Sequence, residues 1–224
     1  MPAEPRASRD ERRRQLGQNF LSDGFAERLV ARAAFGPGDF VVEVGPGLGV
    51  FTAAVARRGA EVLAVELDPV LAPKLRARLG PGLRDRVRVV RGDFLSFPLP
   101  RRPFRVLGSL PFGRTTDVLR RLLDDPLQRL VRADLVVQWE VARKRIAVPP
   151  STLLSTLWAP WWEFELACRI PAHEFTPVPR VDAAFVSVVR RSRPLLPLAM
   201  ARPYARFVRA HWPFDDRASP RERG

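Results

Sequence analysis

The chain has 224 residues, 46% of them hydrophobic, which is enough for one full domain with an appendage and excludes disorder throughout. Cys168 is the single cysteine, so an internal disulfide cannot form, and charge or proline breaks each apolar run short of the roughly 18 residues a membrane span needs. Lysine plus arginine total 38 against 24 acids, for a net charge of +14, and only Lys74 and Lys144 are lysines. An excess this large favours a polyanionic partner, nucleic acid above all, because guanidinium groups fork onto phosphates and stack on bases.

Residues 1–15 are polar and basic (Arg6, Arg9, Arg12, Arg13, Arg14), read as a mobile arm, and carry no apolar core of a signal peptide. A soluble, cytoplasmic protein is therefore expected. A helix is predicted from Asp23, as its N-cap, through Phe25, Leu29 and Val30 to about Ala34, ended by Gly36-Pro37-Gly38. An alternation follows. Phe40–Val44 reads as a buried strand, a glycine-rich turn comes next, and Phe51–Arg58 is helical. Val62–Val65 is a second strand, and Asp68-Pro69 opens a helix with aspartate as cap and proline in first position. Arg86–Val90, Phe104–Leu107 and Asp134–Gln138 are further strands, with a helix at Thr115–Leu123. Residues 163–170 alternate polar and apolar as a half-exposed strand does, and Ala184–Val189 is close enough to pair with them antiparallel. Beyond Arg193 prolines thicken, and one helix is expected over Met200–His211. This order predicts an α/β fold: a parallel sheet with helices on both faces.

The most informative stretch is Glu43-Val44-Gly45-Pro46-Gly47-Leu48-Gly49. A strand that ends in closely spaced glycines and opens a helix lets a ligand approach the backbone, because no Cβ blocks it. A dinucleotide fingerprint would want glycine where Val50 stands, and has no use for Glu43. Glu66 ends the second strand, where a carboxylate can take both hydroxyls of a ribose, and Asp93 follows the third, where it can hold an adenine amino group while Phe94 packs on the ring. This set suits S-adenosylmethionine. Gly108-Ser109-Leu110-Pro111-Phe112, after the fourth strand, suits a planar base. Ser109 Oγ and the Leu110 carbonyl can accept the hydrogens of an exocyclic amine, Pro111 stiffens the turn, and Phe112 can stack on the ring. Trp158, Trp161 and Trp162 read as core at the sheet edge, Cys168 as a core residue, and His173 and His211 lack partners at metal-ligand spacing.

Together with Gln15–Leu21, Gln138–Arg145 and Phe175–Asp182, these motifs occur in an order that resembles the rRNA adenine N6-methyltransferase family, over residues 12 to about 193. Trp139–Arg145 and Phe112 resemble its erythromycin-resistance (Erm) branch more than the small-subunit dimethyladenosine transferases. The resemblance implies a Rossmann-like class I methyltransferase fold, with a mostly parallel seven-stranded sheet whose last strand is antiparallel. It implies a domain order of arm (1–15), catalytic domain (16–193) and short helical segment (194–224). It implies S-adenosylmethionine as cofactor, one adenine of 23S rRNA near the macrolide site as substrate, and action as a monomer without a metal. Asn19 and Leu21 would cover the methionine end over Gly45, Glu66 would hold the ribose, Asp93 the adenine, and Ser109 with Leu110 and Phe112 the target base. The family usually carries asparagine where Ser109 stands, and a longer helical C-terminal domain. RNA grip then falls to Arg12, Arg13 and Arg14, to Arg143, Lys144 and Arg145, and to Arg190, Arg191 and Arg193. The rival readings are the small-subunit enzyme and an RNA-binding module that has lost catalysis.

Overall fold

A computed structural model of the protein describes residues 19–212, so the arm at 1–15, with Arg12, Arg13 and Arg14, lies outside the described residues. Strand β1 (Phe20–Leu21) leads into α1 (Asp23–Ala33), followed by β2 (Phe40–Val44), α2 (Val50–Arg57), β3 (Glu61–Glu66), α3 (Leu71–Arg78), one-turn α4 (Pro81–Arg84) and β4 (Val87–Arg91). The second half runs β5 (Phe104–Ser109), α5 (Thr115–Leu123), β6 (Leu130–Gln138), α6 (Trp139–Ile146), α7 (Leu153–Trp158), β7 (Trp162–Ile170), β8 (Phe175–Thr176), β9 (Ala183–Arg190) and α8 (Ala201–His211).

Neighbouring residues of a strand point to opposite faces, so a strand whose successive valines and leucines are all buried must be covered on both sides. Val41 and Val42 of β2, and Val106 and Leu107 of β5, are all fully buried. Val41 and Leu107 join the core under α1, α2 and α3, whereas Val42 and Val106 join the core under α5, α7 and α8. The result is a three-layer sandwich. Its sheet has seven strands in the order β4-β3-β2-β5-β6-β9-β7. All neighbours are parallel except around β9, which pairs antiparallel with both β6 and β7. The expected mostly parallel seven-stranded sheet with an antiparallel last strand is thus present. A separate ribbon joins β1 to β8, with Phe20 opposite Thr176 and Leu21 opposite Phe175.

Several boundaries differ from expectation, each for a local reason. Ser22, not Asp23, is the N-cap of α1, and Asp23 is the first helical residue, where its charge suits the helix dipole. Asp68 does receive the Val70 N–H at 2.7 Å, yet regular helix starts only at Leu71. β6 begins at Leu130 rather than Asp134, because Arg132 and Asp134 interrupt the apolar run but neutralise one another. The register of β7 against β9 shifts between Leu166 and Cys168, so the bulge leaves Cys168 half-buried rather than in the core. The three tryptophans are core residues as expected, Trp158 and Trp162 each being 1% exposed.

Asp134 is wholly buried in the middle of the sheet, and charge there must be paired. Arg105 approaches it at 3.1 Å, Arg132 at 2.8 Å, and the Ser187 hydroxyl donates to it at 2.7 Å. Arg105 also donates to the Ala33 carbonyl at 2.6 Å and to Asp39 at 3.0 Å, so one guanidinium ties the end of α1 to the sheet. In the second core, Tyr204 of α8 donates to the Thr156 carbonyl at 2.9 Å and meets Trp161 edge-on, and Val208 is buried.

Candidate active site

In an open parallel sheet the strands' carboxyl ends share one edge, so loops following β2, β3, β4 and β5 converge there. They surround a cavity of about 220 Å³. Its lining includes Asn19, Leu21, Gly45, Glu66, Asp93, Ser109, Leu110 and Phe112, bringing together every cofactor and base-contact position expected from the sequence.

The glycine loop is held from both sides. Gly45, Gly47 and Gly49 have φ of 64°, 57° and 84°, in the left-handed region that side chains disfavour. A Cβ on Gly49 would lie 2.2 Å from Leu75 Cδ1, so any side chain there would force Leu75 of α3 to move in addition to straining the backbone. Beneath the loop, Glu66 Oε2 accepts the Gly47 N–H at 2.8 Å and Oε1 accepts the Asp68 N–H at 2.8 Å. Each oxygen keeps a lone pair for an incoming hydroxyl. Burial raises the Glu66 pKa above its usual value, and the backbone N–H groups of Asp68, Gly47 and Leu67 oppose that rise. Glu43 lies deeper, 1% exposed, and accepts the Thr52 hydroxyl at 2.6 Å. Burial pushes its carboxyl up to about 8, with the Glu66 charge adding to the effect.

Asp93 Oδ1 accepts the Leu95 N–H at 2.9 Å, which fixes the carboxylate and leaves Oδ2 as its less engaged acceptor. Phe94 is buried against the same wall. At the end of β5, the Leu110 N–H donates to Val136 O at 3.0 Å, and the Arg114 N–H and Thr115 hydroxyl both donate to Pro111 O. These bonds fix the turn that carries Ser109 and Phe112. Phe112 is partly buried, its ring resting on the first core.

The cavity also has walls that sequence reasoning did not assign. Phe20, Phe51 and Phe175 line it, and Arg114 is its one lysine or arginine among the described residues. Phe20 and Phe175 stand inside quoted motifs, but only the β1–β8 ribbon shows that the two segments meet over the cleft. The basic positions divide. Arg143 and Lys144 are exposed on α6, Arg143 facing Glu140 at 3.2 Å. Arg145 turns inward, donating to Thr152 Oγ1 at 2.7 Å and Ser155 Oγ at 3.2 Å above Trp158. Arg190 donates to the carbonyls of Pro126, Gln128 and Leu130, so its cation serves the fold. Among the described residues, no group of three or more His, Cys, Asp or Glu is arranged to hold a metal ion, and no helix is long and apolar enough to cross a membrane.

Comparison with known proteins identifies the family. An rRNA adenine N-6-methyltransferase of Streptomyces fradiae is 41% identical over 198 residues, covering 88% of this chain and 61% of that protein. The mycinamicin-resistance protein MyrB of Micromonospora griseorubida is 39% identical over 88% of this chain and 62% of its own length. The chain thus spans about three-fifths of these two relatives. The crystal structure of the 23S rRNA methyltransferase ErmE superposes with a TM-score of 0.76 at 34% identity, covering 85% of this chain and 78% of that one. The family model for ribosomal RNA adenine dimethylase matches residues 9–213, and the chain belongs to that family.

Proposed function

We propose that this protein transfers a methyl group from S-adenosylmethionine to N6 of one adenine in 23S rRNA near the macrolide site, and so confers macrolide-lincosamide-streptogramin resistance. The observation that carries the reading is the single cavity in which the Gly45–Gly49 loop, Glu66 and Asp93 face the Ser109–Phe112 turn. Relatives named for rRNA adenine N6-methylation and for resistance support the choice of substrate. In this reading the cytoplasmic monomer uses residues 16–193 as its catalytic unit.

The donor supplies a methyl already activated on a sulfonium. The chain supplies placement. Asn19 and Leu21 cover the methionine end above Gly45, Glu66 takes the ribose hydroxyls with its free lone pairs, and Asp93 Oδ2 accepts from the adenine amine. An adenine N6 is a poor nucleophile because its lone pair is delocalised into the ring. Ser109 Oγ and the Leu110 carbonyl accept hydrogen bonds from its two N–H groups and draw that pair back toward nitrogen. One N6 proton passes to water as the methyl arrives, while Phe112 stacks on the base for roughly 1–3 kcal/mol. Holding nitrogen, methyl and sulfur in line can supply roughly 7–11 kcal/mol of the barrier. Arg143, Lys144 and the basic arm meet the RNA backbone, and Arg145 supports them by anchoring α6 to α7.

The test pairs calorimetric titration of S-adenosylmethionine with transfer of tritiated methyl to protein-free rRNA. Saturable uptake is expected, weakened at least tenfold in Glu66→Ala through loss of charge-assisted bonds. Label should enter 23S rRNA at one adenine mapped by primer extension. Label confined to 16S rRNA would favour the small-subunit enzyme. RNA bound without transfer would favour a module that has lost catalysis.

A further inference from the structure

Arg114 stands two residues beyond Phe112 and is the one lysine or arginine in the cavity lining among the described residues. Its guanidinium is held loosely, with Nη2 3.8 Å from Asp93 Oδ2 and Nε 3.5 Å from Asp117 Oδ2. Both contacts exceed hydrogen-bond length, and Arg114 is 52% exposed, so solvent screens these pairs and they yield readily. The two Asp93 oxygens are unequally engaged. Oδ1 is occupied by the Leu95 N–H, and Oδ2 is the atom that faces Arg114. A base stacked on Phe112 brings its own phosphodiester with it, one sugar away, and a guanidinium fork matches that anion.

We infer that Arg114 is the phosphate anchor of the target nucleotide, and that Asp93 holds it back until the cofactor's adenine takes Asp93 Oδ2. This rests on the assignment of Asp93 to the cofactor made above. The adenine amine and the guanidinium compete for one oxygen, so an occupied cofactor cleft releases Arg114 toward the RNA. By linkage, RNA then tightens cofactor binding by the same factor. The arrangement favours loading the methyl donor before the RNA, and the coupling runs through a pair of side chains rather than through any change of fold.

The experiment measures binding of a 23S rRNA fragment spanning the peptidyl-transferase region to the full chain, with and without saturating S-adenosylhomocysteine. The parent should bind the fragment about two- to fivefold more tightly when S-adenosylhomocysteine is present, which is what releasing one solvent-screened ion pair can supply. Arg114→Ala should lose that enhancement and show a raised KM for RNA with kcat changed less than about twofold. In the same variant S-adenosylhomocysteine should bind more tightly by about the lost factor, because its competitor for Asp93 Oδ2 is gone. Arg114→Lys, which keeps a cation, should restore most of the enhancement. Retention of the full enhancement in Arg114→Ala overturns the inference. So does a loss of S-adenosylhomocysteine affinity as large as the loss of RNA affinity, which would make Arg114 a cover for the cofactor instead. A parent chain that takes up no S-adenosylhomocysteine removes the cofactor assignment itself, an outcome distinct from both.

Discussion

Glu43→Gln should stabilise this protein at neutral pH, because the buried native carboxyl stays protonated there. Glu43 is 1% exposed inside β2, and its carboxyl is pushed from the usual 4.5 up to about 8, first by burial and further by the neighbouring Glu66 charge. Below the unfolded value both states hold the proton, and Glu43 costs nothing. As pH rises toward 8 the unfolded chain releases its proton while the native one keeps it, so stability falls through that window; above it the full penalty remains. Each pH unit weighs about 1.4 kcal/mol, so the interval from 4.5 to pH 7 amounts to roughly 3 kcal/mol. Glutamine keeps the shape, accepts the Thr52 hydroxyl and cannot ionise. Urea unfolding of parent and variant should give similar stabilities near about pH 4.5 and a gap of roughly 3 kcal/mol in favour of the variant at about pH 7. Parallel stability curves across that range would refute a buried, protonated Glu43.

Gly45→Ala separates fold from ligand. A Cβ there meets no atom within 4 Å, and the left-handed φ of 64° costs about 1–2 kcal/mol, so urea stability should drop by little while S-adenosylmethionine affinity falls at least tenfold by calorimetry. Arg105→Met strands Asp134 with Arg132 as its remaining cation and frees the Ala33 carbonyl, and should cost about 3–5 kcal/mol in urea unfolding. Ser109→Ala should keep cofactor affinity and lower turnover in the tritium assay; unchanged turnover would make the Leu110 carbonyl the main acceptor.

The glycine loop and the buried strands were legible because their patterns are local. Phe40–Val44 is an apolar run interrupted only by Glu43 and bounded by a glycine turn, and its observed span matches the expected one. α6 was not foreseen, because in Trp139–Ile146 only Ala142 is fully buried and the charges surround it. α7, with six residues, is too short for periodicity to register, and its identity comes from Trp158 and Leu154 packing under the sheet. The β1–β8 ribbon has two residues per strand and exists through a pairing across most of the chain, which no local window contains. That is why Phe175 was missed as a wall of the cleft although its motif had been singled out. Arg145 illustrates a different blindness: a basic run reads as one patch, whereas helical geometry turns one of three cations toward Thr152 and Ser155.

The insertion of β9 between β6 and β7 sets a timetable for synthesis. Among the described residues β7 pairs with no strand except β9, and the Phe175 wall of the cleft is clipped to Leu21 near the other end of the described chain. A nascent chain halted after β7 therefore carries its glycine loop, yet has an unpaired strand and an open-sided cleft. Pairings of such long separation form late and slowly. The sheet and the cleft are thus complete only once β9 has been made, and truncation ahead of residue 183 should yield insoluble chains rather than weak catalysts.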